Sequence, residues 1–185
     1  DAGHGGAHYG AVGQKNTREK DVCLDIAKEL AKLIRKDKQF KVIMTRDKDK
    51  TVSLEERAKI ANKNNADLFI CIHANAASAS AYGTETYVLG LHRTDAQQKV
   101  AERENSIIHL EDDGGEKYKG FDMSPDAIIA RQIQLSVFLD QSINFASKLQ
   151  TEFTKIGRFD RGVKQAGFLV LYKTTMPSVL IETGF

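Results

Sequence analysis

The chain has 185 residues, which fits a single domain. Its 27 lysines and arginines nearly balance its 25 aspartates and glutamates, so the formal net charge is +2, whereas a nucleic-acid-binding protein normally carries a clear basic excess. Apolar residues make up 41% of the chain, which is too many for a disordered protein, and no apolar run approaches the roughly 18 residues needed to span a bilayer.

The first half of the chain alternates amphipathic helices with apolar strands. Such alternation predicts an α/β domain with a largely parallel, twisted sheet flanked by helices. The predicted elements are a helix over residues 18–36, a strand over 40–45, a helix over 53–64 opened by a capping box, and strands over 67–72 and 84–89.

The second half is less regular. Residues 94–106 are expected to be helical, residues 111–122 irregular, and residues 167–172 and 178–183 two closing strands. Ser124 followed by Pro125 is typical of a helix start, and one long helix is predicted from there to about residue 156. We expect one domain over residues 1–185, with a native chain that extends beyond both ends.

Four polar residues occupy unusual positions. His4 lies in a glycine-rich loop after the expected first strand, His73 directly follows a buried strand, and Glu182 ends the last strand. Glu19 lies in the first turn of a helix, on the same face as its apolar residues. Because ligands bind at the carboxyl ends of strands in open α/β sheets, these side chains are candidates for one site.

The residue types indicate zinc chemistry. Two histidines and one glutamate are a known catalytic zinc set that leaves a fourth position for water or substrate. A second carboxylate is then needed to move the proton of the attacking water. Spacing alone does not say which glutamate is the ligand and which is the base. Each residue also has an ordinary structural interpretation, such as a turn histidine or a helix-dipole carboxylate.

Several segments resemble one known family. DAGHGG at residues 1–6 is similar to the DPGHGG opening of the zinc-dependent N-acetylmuramoyl-L-alanine amidases, the Amidase_3 family, with Ala2 in place of the usual proline. The other similar segments, in the family order, are EKDV at 19–22, MTRDKD at 44–49, SLEER at 53–57, ADLFICIHAN at 66–75 and PSVLIETGF at 177–185.

The resemblance implies roles for particular residues. His4, Glu19 and His73 match the family's zinc ligands, and Glu182 matches its catalytic carboxylate. Asn75 and Arg57 match recurrent positions that we interpret as supporting the site and the fold.

A segment over about residues 92–135 is longer than a minimal enzyme of this type needs. In the cell-division amidases that this chain resembles, an insertion near this place blocks the zinc site with a glutamate until a partner displaces it. The resemblance therefore implies an autoinhibitory insertion and a protein activator that acts on it. An ordinary solvated acidic loop is the alternative. The candidate blocking carboxylates are Glu111, Asp112, Asp113 and Glu116.

The resemblance implies a zinc amidase that hydrolyses the bond between N-acetylmuramic acid and L-alanine in peptidoglycan, during cell-wall remodelling or daughter-cell separation. Such a substrate implies a periplasmic or extracellular location. We expect a monomer with no nucleic-acid partner and no membrane span. A zinc peptidase that cuts within the stem peptide and an inactive wall-binding relative are the alternatives.

Overall fold

The structure is a computed structural model, and it describes residues 1–77, 80–111, 113–119 and 122–185. Its helices are α1 (Glu19–Ile34), α2 (Leu54–Lys63), α3 (Asp95–Asn105), α4 (Pro125–Gln134), α5 (Ser136–Lys155) and the single turn α6 (Leu169–Tyr172). Its strands are β1 (Phe69–His73), β2 (Thr84–Leu89), β3 (Asp160–Ala166) and β4 (Ser178–Glu182). No described helix is both long enough and apolar enough to cross a lipid bilayer.

The described strands form one sheet in the order β1-β4-β2-β3. β1 pairs with β4 and β2 pairs with β3 in parallel, whereas β2 and β4 run antiparallel. The predicted α/β domain with a largely parallel sheet is therefore confirmed, with one antiparallel pairing at its centre.

Helices cover both faces of the sheet, which explains why β1 and β4 are largely continuous apolar runs. Cys71 of β1 belongs to the core cluster on the face covered by α2 and α6. The next residue, Ile72, packs against Cys23 of α1 on the opposite face. On that same face Val179 of β4 packs against Ala146 of α5. Both cysteines are buried free thiols.

One edge of the sheet collects the candidate site residues. His73 ends β1 and Glu182 ends β4, and the two are partners in the parallel register. Residues 1–3 run along the outer edge of β1, where the Gly3 N–H donates to the Ile72 carbonyl at 2.9 Å. This pairing carries the next residue, His4, to the same edge as His73.

The predicted strand over residues 40–45 is absent from the structure. The outer edge of β1 already accepts residues 1–3, so this segment finds no described strand with which to pair. Phe40 is exposed, while Met44 packs against the cluster around α1. The segment is therefore an extended connection and not part of the sheet.

The second half differs from the prediction in two places. The long helix breaks at Leu135 into α4 and α5, because that residue leaves the helical conformation at ψ 22°. The apolar run predicted as a strand over residues 167–172 forms α6, and the strand is the preceding polar segment, β3. Short buried apolar runs do not distinguish a helix turn from a strand, and β3 is an edge strand with a polar sequence.

Candidate metal centre

Four side chains meet at this edge of the sheet. His4 comes from the loop after residues 1–3, Glu19 is the first residue of α1, and His73 is the last residue of β1. The fourth is Glu104, from the last turn of α3. All four are buried, and their ligand atoms lie within 4.8 Å of one another.

The distances between these atoms suit a shared cation. Glu19 Oε1 lies 3.1 Å from both His4 Nε2 and His73 Nδ1. Glu104 Oε2 lies 3.2 Å from His4 Nε2 and 3.1 Å from His73 Nδ1. Ligands about 2.0–2.1 Å from a tetrahedral zinc ion are separated from one another by about 3.3 Å, which matches this spacing.

Two of these atoms have no hydrogen bond that would explain their approach. Among the described residues, neither His4 Nε2 nor Glu104 Oε2 has a hydrogen-bond partner, although both are buried. Buried polar atoms are rarely left without partners, and imidazole nitrogens with carboxylate oxygens are zinc's usual ligands. The donor set, its spacing and its unsatisfied atoms therefore fit a bound zinc ion.

The pKa values of the two carboxyls in this group also favour a bound cation. Burial raises the pKa of the Glu19 carboxyl, but the nearby imidazoles of His4 and His73 outweigh burial and hold this pKa at about 2. Burial also raises the pKa of Glu104, yet the charge on His73 outweighs it and the pKa lies well below its usual range. Both carboxyls are therefore anionic, as cation ligands must be.

Close backbone contacts keep the four side chains together. A Cβ on Gly3 would lie 2.5 Å from the His73 ring, and a Cβ on Gly10 would lie 2.5 Å from Glu19. Gly10 also has φ +68°, a left-handed conformation that favours glycine. Only glycine at these two positions allows the loop to approach the group so closely.

Two buried arginines bind the backbone carbonyls of the loop that carries His4. Arg57 donates to the carbonyls of Ala2 and His4, both at 2.6 Å, and pairs with Asp1 at 2.7 Å. Arg46 donates to the Ala2 carbonyl at 2.9 Å. Arg57, which the sequence analysis named, thus lies directly behind the loop of His4, and Arg46, which it did not name, lies beside it.

Glu182 lies beside the group and is not part of it. Its side chain is fully buried, and neither carboxylate oxygen has a hydrogen-bond partner in the described part of the chain. Burial raises the pKa of Glu182 well above its usual range; His73 opposes this shift, while the negative charges of Glu104 and Glu19 add to it. Burial and the neighbouring negative charges therefore favour the protonated form of Glu182 more than in a solvent-exposed glutamate.

Asn75 and Arg103 form the wall next to Glu182. Arg103 Nη1 donates to Asn75 Oδ1 at 3.1 Å, and Arg103 Nη2 lies 3.7 Å from Glu182 Oε1. Asn75 Nδ2 in turn donates to the buried Glu85 carboxylate at 2.8 Å. Asn75 is therefore at the site, as its motif implied, while Arg103 and Glu85 did not stand out in the sequence.

The carboxylate that the long segment brings to the site is Glu104, which corrects the expectation that Glu111, Asp113 or Glu116 would supply it. Glu111 accepts from Tyr118 and pairs with Lys117, Asp113 caps the turn after it, and Glu116 pairs with Lys119. Asp112, the remaining candidate, lies outside the described residues. The acidic run thus stabilises its own turn, and the helix before it reaches the site.

Glu104 carries a sequence signal that was missed. It lies three and four residues after Ala101 and Val100, which face the core. A carboxylate on the apolar stripe of a helix is the same criterion that singled out Glu19. Applied to residues 94–106, it identifies Glu104.

The chain is similar to proteins of one known family. The sequence profile of one family, described as N-acetylmuramoyl-L-alanine amidase (Amidase_3), matches residues 1–185. The whole chain aligns with AmiC of Escherichia coli O6:H1 at 37% identity, covering 44% of that protein, and with AmiA of Escherichia coli K12 at 31% identity, covering 64%. It therefore spans less than two thirds of either curated relative. The solved amidase of Clostridium difficile 630 has a TM-score of 0.70 and 29% identity, over 100% of this chain and 77% of that one.

Proposed function

Because the chain belongs to the family of N-acetylmuramoyl-L-alanine amidases, we propose that it hydrolyses the amide between the lactyl group of N-acetylmuramic acid and L-alanine in peptidoglycan. The observation that carries this proposal is the buried group of His4, Glu19 and His73 beside a buried, unpaired Glu182. Metal ligands and a separate proton carrier are the parts that metal-assisted amide hydrolysis requires.

His4, Glu19 and His73 would hold a zinc ion. Bound zinc lowers the pKa of water toward about 7 and polarises a carbonyl oxygen. The chain's own contribution is to keep the three ligands in position, through the arginines that fasten the loop of His4 and through the Ala74 N–H, which donates to Glu19 Oε1 at 3.0 Å. Second-shell contacts of this kind orient metal ligands.

Glu182 would move the proton. Its carboxylate accepts a proton from the attacking water as the water oxygen bonds to the carbonyl carbon. It then delivers that proton to the alanine nitrogen as the carbon–nitrogen bond breaks. The second proton of the water passes from the new carboxyl group to the amine, so the products at neutral pH are a lactyl carboxylate and an alanine ammonium group. The unpaired oxygens of Glu182 are available for both steps.

Glu104 would block the site in the described conformation. Its Oε2 has the same contacts to His4 and His73 as Glu19 Oε1 has, so it takes the position that water or substrate needs. Helix α3 is therefore the autoinhibitory part of the segment over about residues 92–135. A protein activator that draws α3 away would open the site.

The substrate places the enzyme's work in the periplasm or outside the cell, where it would serve wall remodelling or cell separation. We propose that the chain acts as a monomer, because the described site takes all its side chains from one copy.

The test is a digest of purified peptidoglycan with zinc-loaded protein, read by mass spectrometry. The variants are Glu104→Gln, which should open the site, and Glu104→Gln combined with Glu182→Gln. Glu102→Gln is the matched control, because it removes an exposed carboxylate from the same helix. We expect free stem peptides that begin with L-alanine, together with peptide-free glycan, from Glu104→Gln and none from the double variant. Peptide fragments with the rest still attached to muramic acid would indicate a peptidase, and no products from any variant would overturn the proposal.

A further inference from the structure

The guanidinium of Arg103 rests on a wall made only of acceptors. Its Nη1 donates to Asn75 Oδ1 at 3.1 Å and to the Ala76 carbonyl at 3.3 Å. Its Nη2 lies 3.7 Å from Glu182 Oε1. An amide oxygen, a carbonyl and a carboxylate thus converge on one cationic group next to the metal ligands.

A buried hydrogen bond orients the Asn75 amide so that its oxygen, a hydrogen-bond acceptor, faces the site. Glu85 is buried and takes the Asn75 Nδ2–H at 2.8 Å, so the amide oxygen of Asn75 must face the site. Tyr87 and Arg161 donate to the same carboxylate at 2.8 and 3.0 Å and keep it fixed. Among the described residues, neither oxygen of Glu182 accepts a hydrogen bond, so both are available to the N–H groups of a ligand.

Arg103 and Glu104 together have the chemistry of the separated products. Arg103 Nε donates to Glu104 Oε1 at 2.8 Å, while Glu104 Oε2 lies in the metal-ligand group. Hydrolysis of an amide leaves a carboxylate, which would lie at the group of His4, Glu19 and His73, and an amine, which would lie beside Glu182. That amine is an ammonium at neutral pH, because an α-amino group has a pKa of about 8. The side-chain pair places a carboxylate and a cation in the same two positions.

We propose that Asn75, the Ala76 carbonyl and Glu182 form the subsite for the L-alanine nitrogen, and that Arg103 and Glu104 block the enzyme as a mimic of both products. This inference rests on the proposed amide hydrolysis. Asn75 then contacts the substrate directly, and Glu85 is a positioning residue that acts through it.

The first test measures binding and not turnover. The Arg103→Ala/Glu104→Ala double variant removes the mimic and leaves the wall free. A synthetic stem peptide with a free N-terminal L-alanine, and the same peptide N-acetylated, are titrated into it by calorimetry. Adding Asn75→Leu should weaken binding of the free-amine peptide about tenfold or more, which is typical of a lost charge-assisted hydrogen bond. Binding of the acetylated peptide should not change.

An equal loss for both peptides, or no loss for either, would overturn the subsite. Either result stays separate from the peptidoglycan digest, because an enzyme that releases stem peptides without this amine preference still has the proposed function. A chain that binds the free amine but releases no stem peptide would retain the subsite and lose the reaction.

A second set of variants keeps Asn75, so it tests the proposed mimicry by Arg103 even if Asn75→Leu fails to fold. In the otherwise intact chain, Arg103→Gln should tighten binding of the free-amine peptide about fivefold or more, because the competing cation is gone. Arg103→Lys should bind like the wild type, since an ammonium reaches the same acceptors. Lys99→Gln, which removes an exposed cation from the same helix, should also bind like the wild type. No effect of Arg103→Gln, or the same effect from Arg103→Lys, would contradict the mimicry.

Discussion

The two sides of the metal centre are held in different ways. On the fixed side, which holds His4, Glu19 and His73, Arg57 binds the His4 carbonyl, and the Arg57 side chain is 1% exposed. On the α3 side, Glu104 approaches from a helix whose neighbouring Arg103 is 35% exposed. A buried ion pair costs much to break, whereas a partly exposed one contributes little.

This difference separates a permanent part of the fold from a replaceable part. The fixed side cannot change without disturbing the sheet edge, because its carbonyls bind guanidinium groups out of contact with water. Under our proposal that Glu104 blocks the site, α3 is the side that an activator would draw away, while the fixed side would stay in place.

The largest effect should come from Glu182, which belongs to the fixed side through β4. In a Glu104→Gln background, Glu182→Gln should lower the rate of stem-peptide release by about 10²–10⁴, the usual contribution of a general acid–base group. The rate is measured from the initial release of free amines. A double variant that keeps the rate of Glu104→Gln alone would remove Glu182 from the reaction.

The two arginines give the most direct contrast between the sides. Arg57→Met should lower the free energy of unfolding by about 3–5 kcal/mol, because it removes the ion-pair partner of the buried Asp1 carboxylate and the hydrogen bond to the His4 carbonyl. Arg103→Gln should change it by about 1 kcal/mol or less. Urea denaturation followed by circular dichroism measures both, with the exposed Arg35→Met as control. Equal changes in the free energy of unfolding from the two substitutions would contradict the difference between the fixed side and the α3 side.

A smaller effect is expected from opening the α3 side. Glu104→Gln should speed digestion of peptidoglycan about tenfold, which lies within the range of ordinary regulatory coupling. Glu102→Gln should leave the rate as it is in the wild type. If Glu104→Gln slows the reaction, Glu104 serves the active centre and does not block it.

The smallest effect concerns the pH dependence of stability on the fixed side. Burial raises the pKa of Glu85, but the Lys164 ammonium outweighs burial and lowers this pKa below its usual value. Its contribution to stability is therefore present above the unfolded pKa of about 4.3 and is lost as the pH falls below it. Glu85→Gln should flatten the fall in urea midpoint below about pH 4.3. The exposed Glu29→Gln should not, and a curve for Glu85→Gln parallel to the wild type would contradict this assignment.

The fixed side could largely be predicted from the sequence. His73 and Glu182 follow buried apolar runs, and the carboxyl ends of parallel strands meet at one edge. Glu19 stood out because it interrupts an apolar stripe. On the α3 side the same criterion identifies Glu104 as a candidate, but the place that this side chain reaches depends on tertiary packing after a long connection.

The fold departs from expectation at two segments where local sequence signals do not decide the structure. The segment over residues 40–45 has the composition of a strand but no free edge beside it, since residues 1–3 occupy the edge of β1. The run over residues 167–172 is as apolar as a strand, yet it is buried as one helical turn. Edge availability and the choice between a strand and a short helix are properties of the whole chain.

The most direct measurement is the zinc content of the purified chain after dialysis against increasing chelator, for the wild type, His73→Ala and Glu182→Gln. We expect one zinc ion per chain in the wild type and in Glu182→Gln, with similar resistance to the chelator, and loss of zinc from His73→Ala. Zinc retained by His73→Ala, or lost from Glu182→Gln, would contradict the division of this site into metal ligands and a separate proton carrier.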